Sequence, residues 1–193
     1  MDPALETKAR AAIDAAHTAD PEAEGGTAGE IRYADRVEEW VQKLASPASD
    51  VLRLAARAQH LERWAIPRGE FPDGRGGYLR WRSAVHRRQG ERVREILKGA
   101  GCADDVADRV AALVSKSAPR GDAEAQALED AACLVFLEHE AAEFAGEHPR
   151  DKTIDVLRKT WGKMSAAGHK AALALPLPGG VRDLVSEALG QSG

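Results

Sequence analysis

Apolar residues in this chain recur at intervals of three and four and nowhere alternate one by one, which commits the backbone to helices. Ile31, Val37, Trp40, Val41 and Leu44 form one such stripe over 30–45, the pattern of a helix with a single face turned to a core. Leu5, Ala9, Ala12, Ile13 and Ala16 repeat it over 4–17, and Val106, Val110, Leu113 and Val114 over 103–116. Ser49 or Asp50 caps a further helix through His60, whose run VLRLAARAQHL is apolar round most of its circumference and so belongs in the interior. Helical patterns continue from about Tyr78 to Lys98, over 122–146 with its apolar centre ACLVF, and at 151–164, 166–174 and 179–190. Between them stand breakers: DPEAEGGTAGE, Ser46-Pro47, AIPRGEFPDGRGG at 65–77, SAPRGD and Pro149. The predicted fold is all-α, a single-domain helical bundle. Residues 1–29 supply an N-terminal helix and flexible connector, and 30–190 the core.

Composition narrows the function classes. With 193 residues, 44% hydrophobic and 30% charged, the chain is long enough to bury a core without disulfides or metals. A formal net charge of -4 and a pI near 5.9 argue against a constitutive nucleic-acid binder. No run of about 18 apolar residues exists, so no membrane span is expected. Acidic Asp2 and Glu6 at the N-terminus, with no apolar core segment, argue against a signal peptide. Cys102 and Cys133 stand far apart without metal-ligand spacing, which reads as two free thiols in a reducing, cytoplasmic setting.

Four groups of residues could carry chemistry. In LEDAACLVFLEHE, 128–140, Glu129 and Asp130 open an apolar helix that ends in Glu138 and His139. Asp130 shares the core-facing side with Cys133 and Leu137, and a buried carboxylate must be paired, hydrogen-bonded, protonated or metal-bound. Pairing with arginine, or a solvated first turn favoured by the helix dipole, is the plainer reading. His60 precedes a Gly/Pro-rich loop, where ligands and catalytic groups are often presented, although a lone core histidine more commonly bonds a carbonyl. Arg75, Arg80, Arg82, Arg87, Arg88, Arg92 and Arg94 accompany Tyr78, Trp81 and His86 over 75–94. Arg80, Arg87 and Arg94 share a helix face, which reads as a solvated stripe slightly ahead of a modest anion site. In RKTWGKMSAAGHK, 158–170, Lys159, Lys163 and His169 surround Trp161, either closing over an acidic ligand or forming the basic last turn of a packing helix. A phosphate-cradling loop, a serine elbow, a cysteine in a basic context and a histidine pair at metal-binding spacing are all missing from the sequence.

Taken in order, His60-x-x-Arg63-Trp64, YLRWR at 78–82, LEDAACLVFLEHE at 128–140 and RKTWGKMS at 158–165 resemble a bacterial and fungal family, domain of unknown function 4202, from about residue 8 to 189. That resemblance implies a fold more than an activity. RYADRVEEWVQKLAS, VLRLAARAQHLERWAIPR and LEDAACL are also distantly similar to the helical order of HD-domain metal-dependent phosphohydrolases. The similarity implies a divalent metal ion on His60 and Asp130, with Tyr33, Leu61 and Gln89 standing where further ligands would fall. On this reading the protein is a metal-assisted hydrolase of a phosphorylated or anionic small molecule. Glu129 positions water, Arg63 neutralises developing charge, and Arg80, Trp81, His139, Lys159 and Lys163 hold the substrate. The alternative is a metal-free small-molecule-binding or biosynthetic protein on a degenerate HD-like scaffold. A third option, an interaction module for protein or RNA at 75–94, is disfavoured by the net negative charge. The expected partner is an anionic small molecule, with neither membrane nor nucleic acid.

Overall fold

A computed structural model of the chain describes residues 1–19 and 27–190. Every regular element among them is helical. The predicted connector over 20–30 lies, through residue 26, outside the described residues. The chain divides into two compact units, Met1–Ala125 and Gln126–Gly193.

The first unit packs five helices: α1 (Pro3–His17), α2 (Thr27–Leu44), α3 (Asp50–Arg57), α4 (Gly74–Ala100) and α5 (Asp104–Val114). The predicted stripes are its core. Ile13, Val37, Val41, Leu52, Val93, Leu97 and Val110 are all fully buried, each such side chain contributing roughly 1.5–3 kcal/mol. Helix ends follow local chemistry. Asp2 accepts the Ala4 amide at 2.8 Å ahead of Pro3, and the Ser49 hydroxyl accepts the Leu52 amide at 3.0 Å. The GAG stop closes α4 with Gly101 at φ 98° and the Cys102 amide donating to the Leu97 carbonyl at 2.9 Å. The interior also holds a charge. Arg57 is buried between Asp14 of α1 and Asp35 of α2, and its carbonyl accepts a hydrogen bond from His17 Nε2 at 2.9 Å. This network ties three helices together and holds the Arg57 guanidinium above its ordinary pKa. Burial works against the charge there, and bonds to Asp14 and Asp35 outweigh it.

The second unit comprises most of α6 (Ala123–Val135), then α7 (Ala141–Glu147), α8 (Arg150–Trp161), α9 (Ala166–Leu173) and α10 (Gly179–Ala188). Helix α10 packs on α8 and α7, burying Ile154 and Leu157 against Val181 and Leu184. The continuous helix expected over 122–146 is instead two helices joined by a π-helical turn, Phe136–Glu140. Two other expectations shift. Helix α3 stops at Arg57, so His60 lies beyond it. Helix α4 begins at Gly74, because the glycines that suggested a loop form its first turn. No helix among the described residues is long and apolar enough to cross a membrane.

Candidate functional site

The chain leaving α3 makes a tight turn through residues that resist it. His60 has φ 62° and Glu62 φ 46°, left-handed conformations that cost a non-glycine residue roughly 1–2 kcal/mol each. Neighbouring contacts hold the turn in place. Leu61 is buried between the two. The Glu62 carboxylate, also buried, accepts bonds from Arg92 Nε at 2.8 Å and Arg88 at 3.1 Å, both on α4. Pinned on either side, His60 lays its imidazole flat on the Tyr33 ring of α2, with centroids 4.1 Å apart and planes 7° from parallel.

Polar groups meet both edges of that imidazole. Glu30 sits one helical turn before Tyr33, on the same side of α2, and places its carboxylate 3.5 Å from His60 Nδ1. Arg63 brings a guanidinium nitrogen within 3.4 Å of Nε2. A guanidinium only donates, so the neutral ring carries its proton on Nδ1, toward Glu30, and offers the Nε2 lone pair. Burial pushes the Glu30 carboxyl up. The hydrogen bond from His60, with the electrostatic pull of the neighbouring Arg63 guanidinium, outweighs that effect and holds it below its ordinary range. The Arg63 guanidinium also lies over Trp81, 5.1 Å from its centroid, while the indole N–H of Trp81 donates to the Ile66 carbonyl at 2.9 Å. Tyr78 lies 5.9 Å from Trp81. Both Tyr78 and Trp64 remain exposed, at 45% and 39%. The structure thus gathers His60, Arg63 and Trp81 into one cluster, while Arg80 is exposed on α4.

The second unit organises its own candidates. Asp130 is 2% exposed, and its oxygens accept bonds from the Ser165 amide at 2.8 Å, the Ser165 hydroxyl at 2.5 Å and the Gln126 amide at 2.9 Å. These donors are neutral, where the sequence suggested an arginine or solvent. Gly168 leaves room for it: a Cβ there would stand 2.8 Å from the Asp130 carboxyl carbon. Glu129 faces Lys163 at 3.7 Å. His139 lies in the π-helical turn, 3.5 Å from Glu138, and Lys159 pairs with Asp155 on α8. His169 stacks on Trp161 at 4.2 Å and donates to the Trp161 carbonyl at 2.9 Å.

Among the described residues no group of three or more His, Cys, Asp or Glu side chains is placed to hold a metal ion. His60 meets one carboxylate, Glu30, and one cation, Arg63. Sequence reasoning passed over Glu30, Glu62 and Ser165. Only Glu30 carried a usable signal, its spacing of one turn from Tyr33.

Fold and cluster together define an all-helical protein that presents a strained histidine among arginine and aromatic side chains. The chain belongs to the family described as Domain of unknown function (DUF4202), which matches residues 7–185. No curated protein and no solved structure matches it.

Proposed function

We propose that the protein binds an anionic small molecule beside His60 and moves a proton on it without a metal. In this reading Arg63, supported by Trp81, turns its N–H from His60 Nε2 to the anionic group, and the Nε2 lone pair so freed is the proton acceptor. Glu30 orients the ring from behind and stabilises the imidazolium formed when Nε2 takes the proton. The observation that carries the proposal is the placement of one imidazole between Glu30 at 3.5 Å and Arg63 at 3.4 Å, on a backbone held at φ 62°. Strain of that kind persists where surrounding contacts over-determine it, and it clusters at functional sites.

The test is a thermal-shift screen of phosphorylated and carboxylated metabolites against the full chain in chelator. Hits that raise Tm in the native protein and lose the effect in Arg63→Ala support the reading, as does altered histidine titration of His60 on binding. A screen without hits, or hits indifferent to Arg63→Ala, overturns it. Stoichiometric uptake of manganese or zinc by the stripped protein, abolished in His60→Ala, would instead favour the metal-assisted hydrolase of the HD-like reading.

A further inference from the structure

The first turns of α4 carry a surface that the His60 cluster does not use. Five large apolar side chains stand well exposed among the described residues, and three of them, Trp64, Tyr78 and Leu79, come from one short stretch. Exposed apolar side chains scattered singly are ordinary, whereas a group of them marks a contact surface. Successive residues of a helix advance by about 100°, so Tyr78, Arg82, Arg75 and Leu79 fall in that order within roughly 100° of arc on α4. Trp81, with the Arg63 guanidinium over it, borders the Tyr78 side, and Trp64 follows Arg63 in the 3-10 turn Arg63–Ala65.

Contacts beneath this surface hold it in place. Trp81 anchors the preceding loop by donating to the Ile66 carbonyl. Arg68 closes the same loop with bonds to the Phe71 and Pro72 carbonyls at 2.8 and 3.1 Å, and Pro72 lies so close to Gly77 that no Cβ would fit between them. At Gly76, by contrast, a Cβ would meet nothing within 4 Å. Glycine there gives up as much as about 1 kcal/mol relative to alanine and leaves the backbone open to approach. Charge supplies the second half of the pattern. Over 63–82 five arginines and no lysine stand against two carboxylates, Glu70 and Asp73, and adding Glu30 behind His60 leaves the balance positive. Arg88 and Arg92 lie outside that count, being spent on Glu62. Arg75, Arg80 and Arg82 have no acidic partner among the described residues. Arginine with tryptophan and tyrosine, and little lysine, is the composition of protein interfaces.

We propose that this face of α4, with Trp64 beside it, docks an acidic amphipathic segment of a partner protein. Apolar side chains of the segment pack on Trp64, Tyr78 and Leu79, while its carboxylates take the guanidinium forks of Arg75 and Arg82. A short segment meets only the local excess of positive charge, because fields from the rest of a chain of net charge -4 fade over about 8–10 Å. A long nucleic acid would meet the whole chain, and Leu79 offers it no ring on which a base could stack.

The test is a titration of the full chain, followed by amide and indole NMR, with synthetic helical peptides that carry Leu and Phe every three or four residues and Glu between. Parallel titrations use the same peptides with Gln for Glu, and a single-stranded oligothymidine. Expected are saturable shifts centred on the Trp64 indole and residues 75–82. Affinity should fall at least tenfold for the Gln peptides and for Arg75→Glu combined with Leu79→Ser. Both substituted side chains are exposed, so Tm stays at the native value, and Arg87→Glu, farther along α4, leaves the affinity unchanged. Shifts that never saturate, tighter binding of the oligothymidine, or equal binding by the Gln peptides or by the double variant overturns the proposal. So does a dimer in sedimentation velocity that Leu79→Ser dissolves, since a second copy of the chain would then be the occupant. Neither Arg75 nor Leu79 is among the groups around His60, so failure here leaves the His60 reading standing, and the converse also holds.

Discussion

Asp130 holds Ser165 at both ends, accepting its backbone N–H and its hydroxyl, while the same hydroxyl accepts the Gly168 amide at 3.2 Å. One buried carboxylate thereby fixes the first turn of α9 against α6. Removing it strips these partly buried donors of their acceptor. Asp130→Ala should lower stability by roughly 2–4 kcal/mol, read as a fall in the denaturant midpoint. Asp130→Asn should recover only part of that loss, because its amide group adds a donor where only donors already converge. An unchanged midpoint in Asp130→Ala would mean that the carboxylate does not hold α9.

Gly168→Ala tests the same contact from the other side. A methyl group there would overlap the Asp130 carboxyl, with 2.9 Å to one oxygen and 3.1 Å to the other. The expected cost is roughly 1–3 kcal/mol, against the usual gain of alanine over glycine inside a helix. A more stable variant by thermal denaturation would show that α9 shifts freely.

Glu62 is the clamp on the turn that presents His60. Its two arginine partners are half exposed and regain water on its loss, which limits the expected cost of Glu62→Ala to about 1–2 kcal/mol. The sharper readout is the His60 ring. Freed of the clamp, His60 should leave the face of Tyr33 and its upfield-shifted ring protons should move toward random-coil values. Tyr33→Leu should produce the same ring-proton change while leaving the bonds from Glu62 to Arg88 and Arg92 intact. Ring protons unmoved in Glu62→Ala would show that the turn holds itself.

Acid should expose two carboxylates in sequence. Glu30 has a folded-state pKa below its ordinary 4.5, so it stabilises the fold above that value and the contribution disappears as pH falls through the lowered one. Asp122, held at about 2 chiefly by its bond to Arg109, loses its contribution between 3.8 and about 2. Wild type and Glu30→Gln should therefore differ in Tm at neutral pH and converge below pH 4.5. A constant difference across that range would remove the coupling between Glu30 and the charges around it.

Helices were legible because burial along them is periodic: Val37 and Val41, Val93 and Leu97, and Val110 and Val114 face inward as their spacing requires. What escaped depended on partners distant in the chain. Nothing near Asp130 announces that its carboxylate will be met by Ser165, 35 positions on, and an arginine seemed the natural counterion. Arg57 shows the reverse. It sits in an apolar helix, and only the packing of α1 and α2 brings Asp14 and Asp35 to it. His60 escaped for a different reason. Its run reads as helix to the end, and left-handed backbone at a histidine is set by Glu62 and two arginines on α4, not by local preference.

The π-helical turn at Phe136–Glu140 represents one residue more than an α-helix of the same span would use. That surplus sets the rotational phase of everything after it. Rewinding the same residues as ordinary α-helix, with none removed, would mend the hydrogen-bond ladder yet swing α7 round by about 100°. Phe144 would lose its edge-on contact with Phe136, and Ala141 would rotate out of the interior into water. In this segment the smoother helix is the one that cannot close the second unit.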